Sequence, residues 1–60
     1  YNGGMMKVGH LARFVHDGQL VLITFVPRIG VIEGIFIGGE RNGKTITSHS
    51  SLLEDLNESR

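Results

Sequence analysis

Three histidines, His10, His16 and His49, are the side chains in this chain best suited to acid–base work or metal ligation. A histidine titrates near neutral pH, and its neutral ring is a common metal ligand. Their spacing follows no recognised ligand pattern, and no cysteine is present to complete a thiolate site. Neither a metal nor a cofactor is expected. Ser48, Ser50 and Ser51 surround His49. A serine nucleophile needs an oriented base and an oxyanion site, and no nucleophile elbow surrounds these serines. Their types suit a turn instead, so no enzymatic activity is expected.

The stretch from Gly38 to Thr45, GGERNGKT, matches the letters of a phosphate-binding loop, G-x-x-x-x-G-K-[ST]. That loop must open a helix, and here residues of strand type follow. Sixty residues also leave no room for the parallel sheet the motif serves. The stretch therefore reads as a hairpin loop whose cations face solvent. Arg41 and Lys44 in it, with Arg28 and Lys7, are the candidate nucleic-acid contacts, because Lys and Arg gain affinity by neutralising phosphates. Aromatic side chains for stacking on bases are scarce: Tyr1, Phe14, Phe25 and Phe36 are the full set.

The elements that must position these groups are strands. Asp17-Gly18 and Asn42-Gly43 carry the signature of type I′ hairpin turns. Pro27-Arg28-Ile29-Gly30 marks a third turn, with proline pre-setting φ and glycine allowing a left-handed exit. β-branched and aromatic runs lie between them and predict strands at about 8–14, 19–26, 31–40 and 44–48. The ending has two readings. Ser51-Leu52-Leu53-Glu54 fits a capping box and a short helix. The favoured reading is a 3₁₀ turn at Ser50–Leu52 followed by a fifth strand at Leu53–Leu56.

Alternation sorts the side chains. If Val26 pairs with Val31, then Ile23 pairs with Gly34 and Leu20 with Ile37. One face then holds Ala12, Phe14, Val21, Ile23, Phe25, Ile32 and Phe36 and forms the core. The other holds Leu20, Leu22, Val26, Val31, Ile35 and Ile37, interrupted by Thr24 and Glu33. Such an aliphatic patch is large for a monomer surface. These six residues are the candidate oligomer interface, with another copy of the chain as its cover. A return of Leu52, Leu53 and Leu56 over part of that face is the alternative. A bulge at Gly38-Gly39 would turn Ile46 toward the core; strict pairing would turn it outward.

Size supports association. A 60-residue chain buries only about 60% of its unfolded surface, and without cysteine it has no disulfide support. The formal net charge is zero, so composition does not make the chain a basic nucleic-acid binder. The body up to residue 53 has five basic and three acidic side chains, and the last seven residues have one and three. No apolar run is long enough for a membrane helix, and residues 1–9 do not resemble a signal peptide. A cytoplasmic location is expected, and the partners considered are the chain itself and RNA or DNA, with no membrane. Residues 1–5 read as an extension or an added remnant, 6–56 as one folded unit and 57–60 as a tail.

KVGHLARF, the Asp17-Gly18 turn, LVLITFV and SSLLEDL together resemble small SH3-like barrels, including short ones common in bacteriophage genomes. The resemblance covers about residues 6–56 and implies an all-β, five-stranded antiparallel barrel. If the chain is phage-encoded, the location would be the host cytoplasm. Leu20–Val26, Gly30, Gly34 and Glu40 are also similar to the first motif of Sm-like proteins, RNA-binding barrels that form rings. Here three residues separate the glycines rather than four, glutamate replaces aspartate, and Arg41-Asn42-Gly43 stands where Met-Asn would follow. The ending is similar to plasmid-borne trimethoprim-resistance reductases as well, but their Val-Gln-Ile-Tyr run is absent. The expectation carried forward is an oligomeric SH3-like or Sm-like barrel that binds nucleic acid, RNA favoured. The alternative is an SH3-like protein-interaction module or a phage structural or regulatory module.

Overall fold

A computed structural model describes residues 6–57. It contains β1 (Leu11–Phe14), β2 (Leu20–Arg28), β3 (Val31–Ile37), β4 (Thr45–His49), a 3₁₀ turn at Ser50–Leu52, and β5 (Leu53–Asp55). All strands are antiparallel and form a single sheet of order β4-β3-β2-β1-β5. The proposed extension at residues 1–5 lies outside the described residues, as does 58–60 of the proposed tail. Asn57 is tied in: its Oδ1 accepts the Leu11 N–H at 2.6 Å.

Ala12, Val21, Ile23, Ile32, Phe36 and Leu53 make the buried core, all on one face of the sheet. Met6, Phe14, Val26 and Ile46 pack against it. The β2–β3 register agrees with alternation from Leu20↔Ile37 to Ile23↔Gly34. It then shifts twice, to Phe25↔Glu33 and Arg28↔Val31. Each shift inserts an unmatched residue on β2 and reverses which face the following side chains occupy. Phe25, expected in the core, is therefore 55% exposed, and Val26, expected on the second face, packs against the core. The turn shortens to Ile29-Gly30 between paired Arg28 and Val31, and Pro27 lies within β2.

Gly34 lies on the core face opposite Ile23 and Ile46. A Cβ there would lie 2.6 Å from both the Leu22 carbonyl oxygen and Val21 Cγ1. Only glycine lets β3 approach β2 this closely. The two expected type I′ turns are replaced by wider ones. Positive φ occurs among the described residues at glycine alone, whereas type I′ needs it at Asp17 and Asn42 too. Gly18 N–H instead donates to Phe14 O across a longer loop. At the other loop, Gly43 N–H donates to Phe36 O and the Asn42 side chain accepts from Gly38 N–H. This irregular loop sets the β3–β4 register that brings Ile46 opposite Gly34, on the core face.

The expected closed barrel does not form. β4 and β5 are the two ends of the strand order and do not pair with each other. The sheet is open, so neither the SH3-like nor the Sm-like barrel describes this chain. The same correction applies to the likeness to short phage barrels. The physical reason lies in the ending. The residues after β4 form a 3₁₀ turn rather than strand, and the three residues of β5 are committed to β1. Among the described residues, no extended segment remains to bridge the edges.

Candidate binding edge and apolar hollow

The open edge of β4 begins as the segment TITSH, β-branched at three positions and free of Asp, Glu, Lys and Arg. Ser50 N–H donates to Gly30 O, and Phe36 N–H donates to Lys44 O. With the register Gly34↔Ile46 and Ile32↔Ser48, the antiparallel alternation turns the backbone groups of Ile46 and Ser48 toward β3. The N–H and C=O groups of Thr45, Thr47 and His49 then point away from the sheet, where no strand of the described residues lies. Ser48 Oγ donates to His49 O at 3.2 Å. The side chains of Ile46 and Ser48 are half-buried, and those of Thr45, Thr47 and His49 are exposed.

An apolar hollow of about 360 Å³ borders this edge. Phe14, Phe36, Ile46 and Leu52 line it, and His16, Asp17 and Arg41 complete its wall. Four elements converge there: the end of β1, the end of β3, the start of β4 and the 3₁₀ turn. The rings of Phe14 and Phe36 lie 6.2 Å apart and tilted, within the range of a favourable aromatic pair. The Arg41 guanidinium lies 4.7 Å over the Phe36 ring, a cation–π contact. It also reaches Asp17 at 3.4 Å. The Gln19 backbone N–H bonds Asp17 Oδ1. That bond, and then the Arg41 charge, lower the Asp17 carboxyl below its ordinary value.

The candidate nucleic-acid residues do not converge. Arg41 and Lys44 lie in the β3–β4 loop, whereas Arg28 ends β2 at the opposite end of the β2–β3 hairpin. Seven extended residues separate those ends, roughly 23 Å. Lys7 lies two residues before Gly9, whose N–H donates to Ile23 O in the middle of the hairpin. The RNA-binding expectation rested on a closed, Sm-like architecture, and the open sheet removes that basis. The same finding removes the SH3-like module considered beside it.

The candidate interface residues are divided. Leu20, Val31 and Ile35 are half-buried, Leu22 and Ile37 are just over one-third exposed, and Val26 belongs to the core side. Gln19 reaches across this end of the sheet, donating from Nε2 to the Ile37 carbonyl at 3.0 Å. The second apolar face thus exchanges Val26 for Phe25, which the first register shift turns outward.

The histidines are dispersed. His10 Nδ1 donates to Asp55 Oδ2 at 3.0 Å, His16 borders the hollow, and His49 Nδ1 lies 3.3 Å from Ser51 Oγ. Among the described residues, no group of three His, Cys, Asp or Glu could hold a metal. No helix among them is long and apolar enough to cross a membrane.

Sequence reasoning placed Phe14 and Phe36 in the core and did not see the hollow between Phe14, Ile46 and Leu52. One signal was available: the uncharged alternation of TITSH, with Ile46 its one aliphatic side chain. No protein-family model, curated protein or solved structure matches the chain.

Proposed function

We propose that this chain is a non-catalytic association module whose β4 accepts one further extended strand. The observation that carries this reading is an uncharged, unpaired edge bordering an apolar hollow. An unpaired edge is a ready template for another strand, and proteins that avoid such pairing usually place charge, proline or a bulge there. β4 has none of these. An added strand would bond through the outward groups of Thr45 and Thr47. Its residue opposite Ile46 would face the same side as Ile46, toward the hollow. Main-chain bonds would supply affinity and the hollow would select an apolar side chain, the usual division of labour in strand addition.

The test uses blocked synthetic hexapeptides that alternate Thr with Ile, Leu or Phe, and a control with proline at the centre. NMR titration of isotope-labelled protein should move the amides of Thr45 and Thr47 and the side-chain signals of Ile46 and Phe14. The proline control should move neither. Absence of shifts at millimolar peptide, or shifts centred on Leu22 and Ile37, would discard the β4 reading.

A further inference from the structure

We infer that the strand β4 accepts is β4 of a second copy, paired antiparallel about a two-fold axis with Ile46 opposite the partner's Ile46. This rests on the association reading above and names its partner. Self-pairing requires that the outward backbone groups match under a two-fold rotation. They do so when Thr45 faces the partner's Thr47 and Thr47 faces the partner's Thr45. Each of these pairs then exchanges both N–H···O bonds.

The side chains agree with that register. On the exposed face, threonine meets threonine, a favourable cross-strand pair. On the other face, Ile46 meets Ile46 at the mouth of the hollow, and each copy covers part of the other's Phe14–Ile46–Leu52 surface. Charge permits the approach: the span from Thr45 to His49 has no Lys, Arg, Asp or Glu. Lys44 faces the partner's Ser48, so no like charges stand directly opposed. Shifting the register by two residues, with Thr47 opposite the partner's Thr47, keeps the Thr47 bonds and opposes Thr45 to the partner's His49, whose C=O already accepts from Ser48 Oγ. It places Ile46 against the partner's Ser48 and forfeits the apolar contact, so the first register is preferred.

β5 fails the same comparison. A β5–β5 pairing would bring Glu54 and Asp55 of both copies together over three residues. The β4 interface is small, below the roughly 1,200 Å² at the lower end of stable complexes. The dimer is therefore reversible and concentration-dependent.

Sedimentation equilibrium on the full 60-residue chain, from micromolar to millimolar, should show monomer passing to dimer. Thr47→Pro removes an N–H that serves only the dimer, at an edge position that tolerates proline. Thr47→Lys adds the charge that edges use to refuse a partner. Each should weaken dimerisation by about tenfold or more, with circular dichroism reporting an intact fold. If Thr47→Pro unfolds, Thr47→Lys alone decides.

The register has its own readout. A mixture of Thr45→Cys and Thr47→Cys chains should crosslink faster than either alone under mild oxidant. Faster crosslinking of Thr47→Cys alone would overturn the Ile46–Ile46 register. A chain that stays monomeric at millimolar concentration, or dimers indifferent to Thr47→Lys, would overturn self-pairing through β4. Peptide binding at β4 without dimerisation would overturn the self-partner while leaving the association reading in place. Failure of both would discard the two together.

Discussion

The two edges of this sheet are built differently. β5 is short and held by side chains. Glu54 pairs with Arg13, Asp55 accepts from His10, and the Leu11 N–H is capped by Asn57. Leu53 fills the core beneath it. β4 is longer and held by its ladder to β3, with Ile46 as its apolar anchor. One edge has its charges satisfied within the chain and offers little to another strand. The other presents threonines and an apolar border. A single sheet can thus refuse pairing at one side and invite it at the other through residue type alone, because both edges have the same backbone chemistry.

The largest expected effect tests what holds the two edges in their positions. Gly34→Ala forces a Cβ to within 2.6 Å of the Leu22 carbonyl oxygen. Backbone cannot yield as a side-chain tip can. We expect a loss of about 1–3 kcal/mol or more, read from urea denaturation, together with altered packing of Ile46 in NMR spectra. A neutral Gly34→Ala would mean that the sheet does not depend on this close approach.

Next comes the guarded edge. His10→Ala leaves the nearly buried Asp55 carboxylate without its ring partner. The expected cost is about 1–3 kcal/mol, with faster amide exchange at Leu53 and Leu56. An equal acceleration at β4 would show that the two edges do not behave independently.

The pairing edge should respond in the opposite way. Thr47 is exposed and its N–H serves no bond to β3, so Thr47→Lys should change monomer stability by no more than about 0.5 kcal/mol. Measured below the dimerisation range, a larger loss would show that Thr47 contributes to the monomer itself.

The smallest effect concerns pH. The folded Asp17 carboxyl titrates below its ordinary value because it accepts the Gln19 N–H and faces Arg41. Its contribution is therefore fully present above the unfolded value and is lost as pH falls through the lowered folded value. Asp17→Asn should flatten that part of the acid stability profile slightly, since the side chain is about half exposed and solvent screens its contacts. Carboxyl NMR should place Asp17 below the ordinary aspartate range; a position within that range would remove the Gln19 bond from the account.

Much of the strand content was legible in the residues. The alternation of LVLI against GIFI located the β2–β3 pairing through Ile23 and Gly34, and SSL followed by LED marked a tight turn leading into a last strand. Phe25 and Val26 were assigned to the wrong faces for a local reason: a bulge costs one residue of register and leaves no signature in hydrophobicity. The hollow was not legible because Phe14, Ile46 and Leu52 belong to three separate elements that only the tertiary structure brings together. The barrel was inferred from segments that also suit an open sheet.

What the amino-acid sequence by itself determined is the all-β character, the glycines at which the chain turns and the uncharged stretch TITSH. Those follow from local chemistry: proline fixes φ and glycine permits positive φ, branched side chains favour extended backbone, and alternation exposes one face. Only the tertiary structure decided that β4 and β5 remain apart, that Ile46 faces inward and that an apolar hollow borders the open edge. Those outcomes depend on register shifts, on the close approach at Gly34 and on a three-residue β5 already committed to β1. Each is a contact between distant segments, fixed by packing rather than by the propensity of any one of them.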